Sequence, residues 1–277
     1  MIEIYRFRLP KEKLAAMPSE ERTLLLLLGH MANQMVLLQK LVLMAQNHDD
    51  ERQIVGWVEA AQTHTLIRFL IGALHETRDV VRHRVLGTSL WKKYRKRVSA
   101  ADKRALRRLK LTGTHPKQGD VFARLRNNFS YHHPNDKVLE RAFRATPENE
   151  PWEFYLSRAN VNSFYFISDV VTTFGIVEAL GGGNPIKAIE GLLRQVSSAA
   201  DALDDVIGAI IKAIVAEHFD DNVAEGILRI EDAPALSEVR LPFYVEPERV
   251  GGSPALLSAP KPEMWQVQAA ARARFSQ

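Results

Sequence analysis

The sequence predicts a mainly α-helical fold, a multi-helix bundle with short strands at the N-terminus and within residues 226–246. Apolar residues recur at helical spacing over long stretches, as at Ile54, Trp57, Val58 and Ala61. Several of these stretches are bounded by glycine or proline, as at Gly113, Pro116, Pro134 and Gly181 to Gly183. The chain has 277 residues, of which 46% are hydrophobic and 25% charged, so it can bury a sizeable core without covalent staples.

The predicted helices follow one another along most of the chain. Ser19 is a good N-cap for the first long helix. Gly181 to Gly183 end a later helix, and Asn184 and Pro185 are suited to cap and begin the next. In order, we expect helices at about residues 19–45, 49–84, 91–110, 117–133, 136–145, 158–180 and 185–219.

Two domains are expected. Residues 1–220 form the helical domain, and residues 221–277 form a C-terminal extension. Within the extension, residues 246–263 are rich in Pro, Gly and Ser, which is typical of a linker. The last dozen residues are expected to form a loose helix.

Three short segments have the character of strands. Residues 1–10 are expected to form a strand or an extended arm, and residues 226–230 and 239–245 are expected to form strands in the extension. A pairing between the extension and the N-terminal arm is one arrangement open to them.

The composition excludes several classes of site. The chain has no cysteine, which rules out disulfides, thiolate metal sites and cysteine nucleophiles. The N-terminus has no apolar stretch of signal-peptide length, and apolar runs such as Leu24–Leu28 are too short to span a bilayer. We therefore expect a cytoplasmic location, no membrane partner, no cofactor and no metal.

Positive charge is concentrated between Trp91 and Lys110, a stretch called the basic segment below. It holds ten Lys or Arg residues and one Asp, a net charge of +9, whereas the whole chain carries +4. On a helix, apolar Tyr94 and Val98 gather opposite the cations. The cations form two adjacent stripes: Lys93, Arg97, Arg104 and Arg108 on one, and Lys96, Lys103, Arg107 and Lys110 on the other.

The basic segment has two interpretations. It is either a solvated helix face or a face that binds a polyanion, with nucleic acid favoured over a membrane because the opposite side suits a core. Ser99 followed by Asp102 resembles a capping box, so the segment is either one helix or two shorter ones.

One stretch combines groups suited to phosphoryl chemistry: Arg124-Leu125-Arg126-Asn127-Asn128-Phe129-Ser130-Tyr131-His132-His133-Pro134. Arg presents a fork of donors to phosphate oxygens, His moves protons near neutral pH, and Asn can orient either. The alternative is a capped helix end with His near the negative pole of the dipole. On a straight helix His133 shares the face of Arg126, and His132 lies near Asn128. Pro134 leaves the choice between the histidines open.

The run Arg126-Asn127-Asn128-Phe129-Ser130-Tyr131-His132 resembles the signature of the HEPN superfamily, an Arg, usually a polar residue, and a His after a spacer of four to six residues. The resemblance implies an HEPN-like helical bundle and a metal-independent endoribonuclease of a toxin–antitoxin or phage-defence type. It implies that Arg126, Asn127 and His132 are catalytic and that RNA, a second copy of the chain and possible cognate antitoxins are partners. The alternative is a non-catalytic HEPN-like module that binds nucleic acid or another protein.

Other polar residues are secondary candidates. His133, Asn128, Arg124 and His64 are expected to support the site. His64, His75, Asp79 and His83 belong to a polar stripe on the second long helix, which we interpret as facing solvent rather than as a metal site. Under the HEPN interpretation, His132 would move the proton of the substrate's 2′-hydroxyl, Arg126 would stabilise the charged phosphorane, and Asn127 would orient them.

Overall fold

Nine helices and one small sheet make up the described part of the molecule. The computed structural model describes residues 1–46, 53–109, 121–157, 162–219 and 224–246. In chain order the elements are β1 (Ile2–Phe7), α1 (Lys11–Ala16), α2 (Ser19–Ala45), α3 (Gln53–Val80) with a first π turn (Val81–Leu86), α4 (Ser89–Tyr94), α5 (Ala100–Arg108), α6 (Val121–Leu125) with a second π turn (Arg126–Ser130), α7 (Asp136–Ala145), α8 (Phe166–Ala179), α9 (Pro185–His218), β2 (Ala224–Ile230) and a 3-10 turn (Leu236–Glu238). The mainly α-helical prediction is confirmed.

The core lies where α2, α3 and α9 pack together. Leu28 and Met35 of α2, Leu74 of α3, and Ile210 and Ile214 of α9 are fully buried there. Buried positions recur every three or four residues, as at Leu24, Leu28, Met31 and Met35 of α2, so a helix of this kind presents one continuous apolar stripe to its neighbours. The long apolar helices of the sequence are therefore the centre of the bundle.

Helix α2 is long and apolar. By length and composition it could cross a membrane, since an 18-residue window has a mean hydropathy of 1.3. Leu26 and Leu37 on its outer side are exposed. The expectation that no apolar segment is long enough for a bilayer is thus wrong for this helix, although its inner side packs on α3 and α9.

Some predicted boundaries are confirmed and others are wrong, and the predicted helix starts at residues 49–50 and 117–120 lie outside the described residues. Helix α7 has the predicted bounds, and Asn184 caps α9 by accepting the backbone N–H of Lys187 at 3.0 Å. Pro18 rather than Ser19 occupies the N-cap of α2. Helix α8 begins at Phe166 instead of near residue 158, because Tyr155 and Phe164 exchange backbone hydrogen bonds of 2.7 and 2.6 Å in an isolated β-bridge.

The extension joins the N-terminal arm in a two-stranded antiparallel sheet. Strand β1 pairs with β2 in a register that places Ile2 opposite Ile230. The predicted strand at 239–245 is wrong: it follows the 3-10 turn as irregular chain, and Leu241 donates its N–H to the carbonyl of Met44 at the end of α2. The linker and final helix expected within 246–277 lie almost entirely outside the described residues.

The basic segment is two helices rather than one. Helix α4 ends at Tyr94 and α5 begins after Ser99, whose hydroxyl accepts the N–H of Asp102 at 3.1 Å. The backbone N–H of Ser99 in turn donates to the carboxylate of Asp102, so the capping box is formed. The buried side of the segment agrees with prediction, with Tyr94 and Val98 in the interior.

A buried carboxylate fastens this segment to the core. Glu21, in the first turn of α2, is only 4% exposed. It accepts hydrogen bonds from Nζ of Lys93 at 2.7 Å and from the hydroxyl of Tyr94 at 2.6 Å, and it pairs with His218 at the end of α9. A buried charge is stable only when it is paired in this way. Glu21 therefore ties α2, α4 and α9 together.

The pKa values in this cluster follow from the contacts. Burial raises the pKa of Glu21, but the hydrogen bonds from Lys93, Tyr94 and His218 outweigh that effect and lower its pKa to about 2. The hydrogen bond to Glu21 raises the pKa of Lys93. Burial, together with the bond to Glu21, raises the pKa of Tyr94 to about 12. Glu21 is therefore ionised in the fold at neutral pH.

We predict that Glu21 makes the free energy of unfolding depend on pH in the acid range. Its folded-state pKa of about 2 lies below the ordinary value of 4.5. Ionised Glu21 therefore stabilises the fold above about pH 4.5, and this contribution is lost as the pH falls toward 2. The loss should be on the order of 3 kcal/mol, measurable by urea unfolding across that range.

The exposed neighbour Glu20 provides a matched control. Glu20→Gln should keep the wild-type pH dependence. Glu21→Gln should lower stability at neutral pH and flatten the acid part of the profile, because position 21 no longer carries a carboxylate that can be protonated. Parallel profiles for Glu21→Gln and the wild type would contradict this account.

Candidate functional site

The second π turn places the Arg-Asn…His cluster against α3. Helix α6 widens after Leu125, and the hydroxyl of Ser130 reaches back to the carbonyl of Leu125 at 3.4 Å. Leu125 and Phe129 are buried, so they anchor the turn to the core. Such widened turns often occur at functional sites in helical proteins.

Arg126, the first residue of this turn, is held by three side chains. Its Nε and Nη2 donate to Oε1 of Glu76 on α3, at 2.9 and 2.7 Å. Its Nη1 donates to Oδ1 of Asn127 at 3.0 Å and lies 3.2 Å from Nε2 of His132. Arg126 is 28% exposed, and Asn127 and His132 are exposed. The three residues expected to be catalytic thus form one set of contacts that solvent can reach.

The contact between Arg126 and His132 implies a tautomer. A guanidinium group only donates hydrogen bonds, so Nε2 of His132 must accept and carries a lone pair. The ring proton is then on Nδ1. Because Nε2 carries a lone pair, it can take up a proton from a hydroxyl once the Nη1 group of Arg126 turns to another partner.

Geometry favours His132 over His133 as the partner of Arg126. A straight α-helix places His133, seven residues on, above Arg126. The π turn changes this spacing, and the chain bends at Tyr131 and His132, so His132 reaches the guanidinium instead. His133 is exposed. The sequence leaves the choice between the two histidines open, because a projection on an ordinary helix cannot account for a π turn.

The other supporting candidates have different surroundings. Asn128 donates from Nδ2 to the carbonyl of Arg124 at 2.8 Å, which stabilises its own helix, and the Arg124 side chain is exposed. His64 lines a small cavity with Arg68 and Leu125 between α3, α8 and α9. Burial, and then the charge of Arg68, lower the pKa of His64. His64 lies about 18 Å along α3 from Glu76, at 1.5 Å per residue, and is not part of the Arg126 contacts.

Glu76 is a residue that sequence reasoning missed. It lies on α3 beside the polar stripe, and its partner is 50 residues away in sequence. No local pattern links two positions so far apart, and the only signal was a charge opposite to that of Arg126. Glu76 fixes the direction of the guanidinium, so it acts on the site by positioning Arg126.

The polar stripe of α3 is not one solvent-facing surface. Arg68 forms an ion pair of 3.1 Å with Asp169 on α8, and His75 lies 3.6 Å from Asp79. Burial lowers the pKa of His75, and its Nδ1 is buried without a hydrogen-bond partner in the described part of the chain. Among the described residues, no group of three or more His, Asp or Glu is placed to hold a metal ion.

The basic segment is divided between structural and exposed cations. Lys93 bonds to Glu21 and lies 3.6 Å from Glu217, and Arg97 pairs with Glu217. These two residues, expected to contact nucleic acid, form ion pairs with carboxylates of α2 and α9, although their side chains remain 38% and 46% exposed. The remaining cations with described side chains include Lys96, Arg104 and Arg107, which are exposed, and Lys103, which is half-buried. The side chain of Arg108 lies outside the described part, as does Lys110.

A search against protein-family models, curated proteins and solved structures finds no match for this chain.

Proposed function

We propose that the chain is an HEPN-like protein that acts on RNA as a metal-independent endoribonuclease. The observation that carries this proposal is the exposed contact of Arg126 with Asn127 and His132. It places a proton acceptor and an amide each within hydrogen-bond distance of one positioned cation, the guanidinium of Arg126. Phosphoryl transfer through a neighbouring hydroxyl requires a group that moves a proton and a group that stabilises the charged phosphorane.

The proposed reaction uses the 2′-hydroxyl of the substrate. His132 takes the proton of this hydroxyl on Nε2, and the 2′-oxygen forms a bond to phosphorus while the bond from phosphorus to the 5′-oxygen breaks. The imidazolium that His132 has become then gives this proton to the leaving 5′-oxygen, which restores neutral His132. Arg126 donates to the phosphorane oxygens, and Asn127 holds Arg126 in place. The products are a 2′,3′-cyclic phosphate and a 5′-hydroxyl.

A non-catalytic RNA-binding module is the second candidate. Its support is the number of partners that Arg126 already has: Glu76, Asn127 and His132 use four of its five N–H groups. An Arg used in this way positions the turn and needs a change of partners before it contacts phosphate. The two candidates differ in turnover, so a cleavage assay separates them.

The proposal includes a homodimer in the cytoplasm. The exposed apolar residues of α2 and the HEPN resemblance support association of two chains. A monomer of 31.3 kDa at every micromolar concentration in sedimentation would contradict the dimer. Recovery of the chain in a membrane fraction would contradict the location.

Cleavage is predicted to need Arg126 and His132 but no metal. With a single-stranded RNA in EDTA, the wild type should release products that end in a 2′,3′-cyclic phosphate. His132→Ala should reduce the rate by about 10²–10⁴, because a proton-transfer group is lost. Arg126→Ala should reduce it by about 10²–10³, because a charge-stabilising donor is lost.

His133→Ala is the matched control, since it removes an exposed imidazole one residue away and should be mild. Circular dichroism should show the same helical content in all variants. If His133→Ala is the inactive variant, or if activity requires a divalent metal, the assignment of roles is wrong. If folded wild type binds RNA without cleaving it, the binding module is the correct candidate.

Affinity for RNA is predicted to depend on the exposed cations of the basic segment. Replacing Lys96, Arg104 and Arg107 with Ser should weaken binding. It should also flatten the slope of log affinity against log salt by about 0.7 for each phosphate of a single strand that the protein no longer neutralises. Fluorescence anisotropy with a labelled oligonucleotide from about 50 to 200 mM salt measures both.

Three exposed cations on other surfaces give a control of equal charge. The triple variant of Lys40, Lys187 and Arg194 to Ser changes the net charge by the same amount. Its salt slope should stay close to that of the wild type. Equal slope changes in the two triple variants would show that the basic segment has no special role.

A further inference from the structure

Two aromatic rings lie exposed beside the Arg126 contacts. Phe69 of α3 is 40% exposed and Tyr131 is 44% exposed. Their centroids are 6.5 Å apart and their planes differ by 29°, so the rings are nearly parallel. Large aromatic side chains usually bury their faces in the core or at an interface. Here both rings leave part of their surface to solvent.

The backbone of α3 makes room for one of these rings. A Cβ atom on Gly72 would lie 2.6 Å from Cε2 and 2.9 Å from Cζ of Tyr131, closer than real side chains approach. Glycine within a helix costs roughly 0.5–1 kcal/mol relative to alanine. Gly72 is therefore unfavourable for the helix itself, but it leaves the space that the ring of Tyr131 occupies.

The pair adjoins the proposed catalytic residues. Tyr131 precedes His132 in the chain. Phe69, Gly72 and Glu76 are spaced by three and four residues, so they share one face of α3. Burial, then the charge of Glu76, raise the pKa of Tyr131, while Arg126 lowers it, so the hydroxyl lies within the field of both groups.

We propose that Phe69 and Tyr131 form a stacking platform for an unpaired base of the RNA whose phosphate lies at Arg126 and His132. This inference rests on the proposed function and names its substrate class, a single-stranded RNA. A nucleobase and its phosphate are joined through one ribose. An aromatic surface that stacks on the base must therefore lie immediately beside the phosphate site. Bases inside a duplex are stacked on one another and cannot reach such a platform.

The experiment compares two single-stranded probes of equal length. One is a 2′-O-methyl oligoadenylate of about ten nucleotides, which cannot be cleaved because it has no free 2′-hydroxyl. The other has the same backbone without bases. Tyr131→Ala should weaken binding of the oligoadenylate by roughly 5- to 150-fold, the range for one stacked base, and leave the abasic probe unchanged. Tyr131→Phe, which keeps the ring, should retain wild-type affinity.

A second variant and a matched control keep the test decisive. Phe69→Ala should act like Tyr131→Ala and serves if that variant does not fold. Phe154, exposed and paired edge-to-face with exposed Tyr165, provides the control, and Phe154→Ala should change neither affinity.

Each result separates the platform from the proposed function. If wild type binds both probes equally, the platform is wrong but RNA binding stands. The platform is also wrong, with RNA binding intact, if Tyr131→Ala weakens both probes alike. It is equally wrong if that variant converts a dimer into a monomer in sedimentation, since the rings then form an interface. If wild type binds neither these probes nor unmodified RNA, the proposed function fails and the platform fails with it.

Discussion

A carboxylate buried at the start of α2 requires partners of opposite charge. The residues that supply them determine how the charged groups of the basic segment are arranged. Glu21 takes a hydrogen bond from Lys93 and another from Tyr94, and it pairs with His218, so three helices meet at one ionised group. Removing one partner of a buried ion pair strongly destabilises the fold, because the other charge is left buried and unpaired. Part of the basic segment is therefore structural, and only cations such as Lys96 and Arg104, which face solvent, remain to attract a polyanion.

Local sequence signals predicted most of the helices because caps and apolar periodicity act over a few residues. Asn184 capped α9 as expected, and the Ser99 capping box divided the basic segment as one of two alternatives. The partner of Arg126 could not be chosen in the same way. The apolar periodicity does not distinguish a π turn from an ordinary helical turn, and the Glu76 contact joins residues 50 apart, so neither follows from local spacing.

The candidate site combines a positioned cation with a nearby surface suited to a planar ligand. Glu76 directs the guanidinium of Arg126, and Arg126 directs its Nη1 to Nε2 of His132. Tyr131 packs against the same face of α3, where Gly72 makes space for its ring. In the proposed function these are two halves of one recognition site, one for the phosphate and one for the base. The proposed function depends on the phosphate half, which contains the contact between Arg126 and His132. Catalysis or binding there requires Arg126 to exchange its present partners for the phosphate.

Nitrogen-15 chemical shifts of the histidine rings test that exchange most directly. In the free protein His132 should show a proton on Nδ1 and an unprotonated Nε2, as its contact with Arg126 implies. Adding a single-stranded RNA with a 2′-deoxy group at each position of cleavage should shift the Nε2 signal of His132. The signal of exposed His30 on α2 should stay unchanged. A bound oligonucleotide that leaves the His132 signals unmoved would contradict the claim that this residue is at the site where RNA binds.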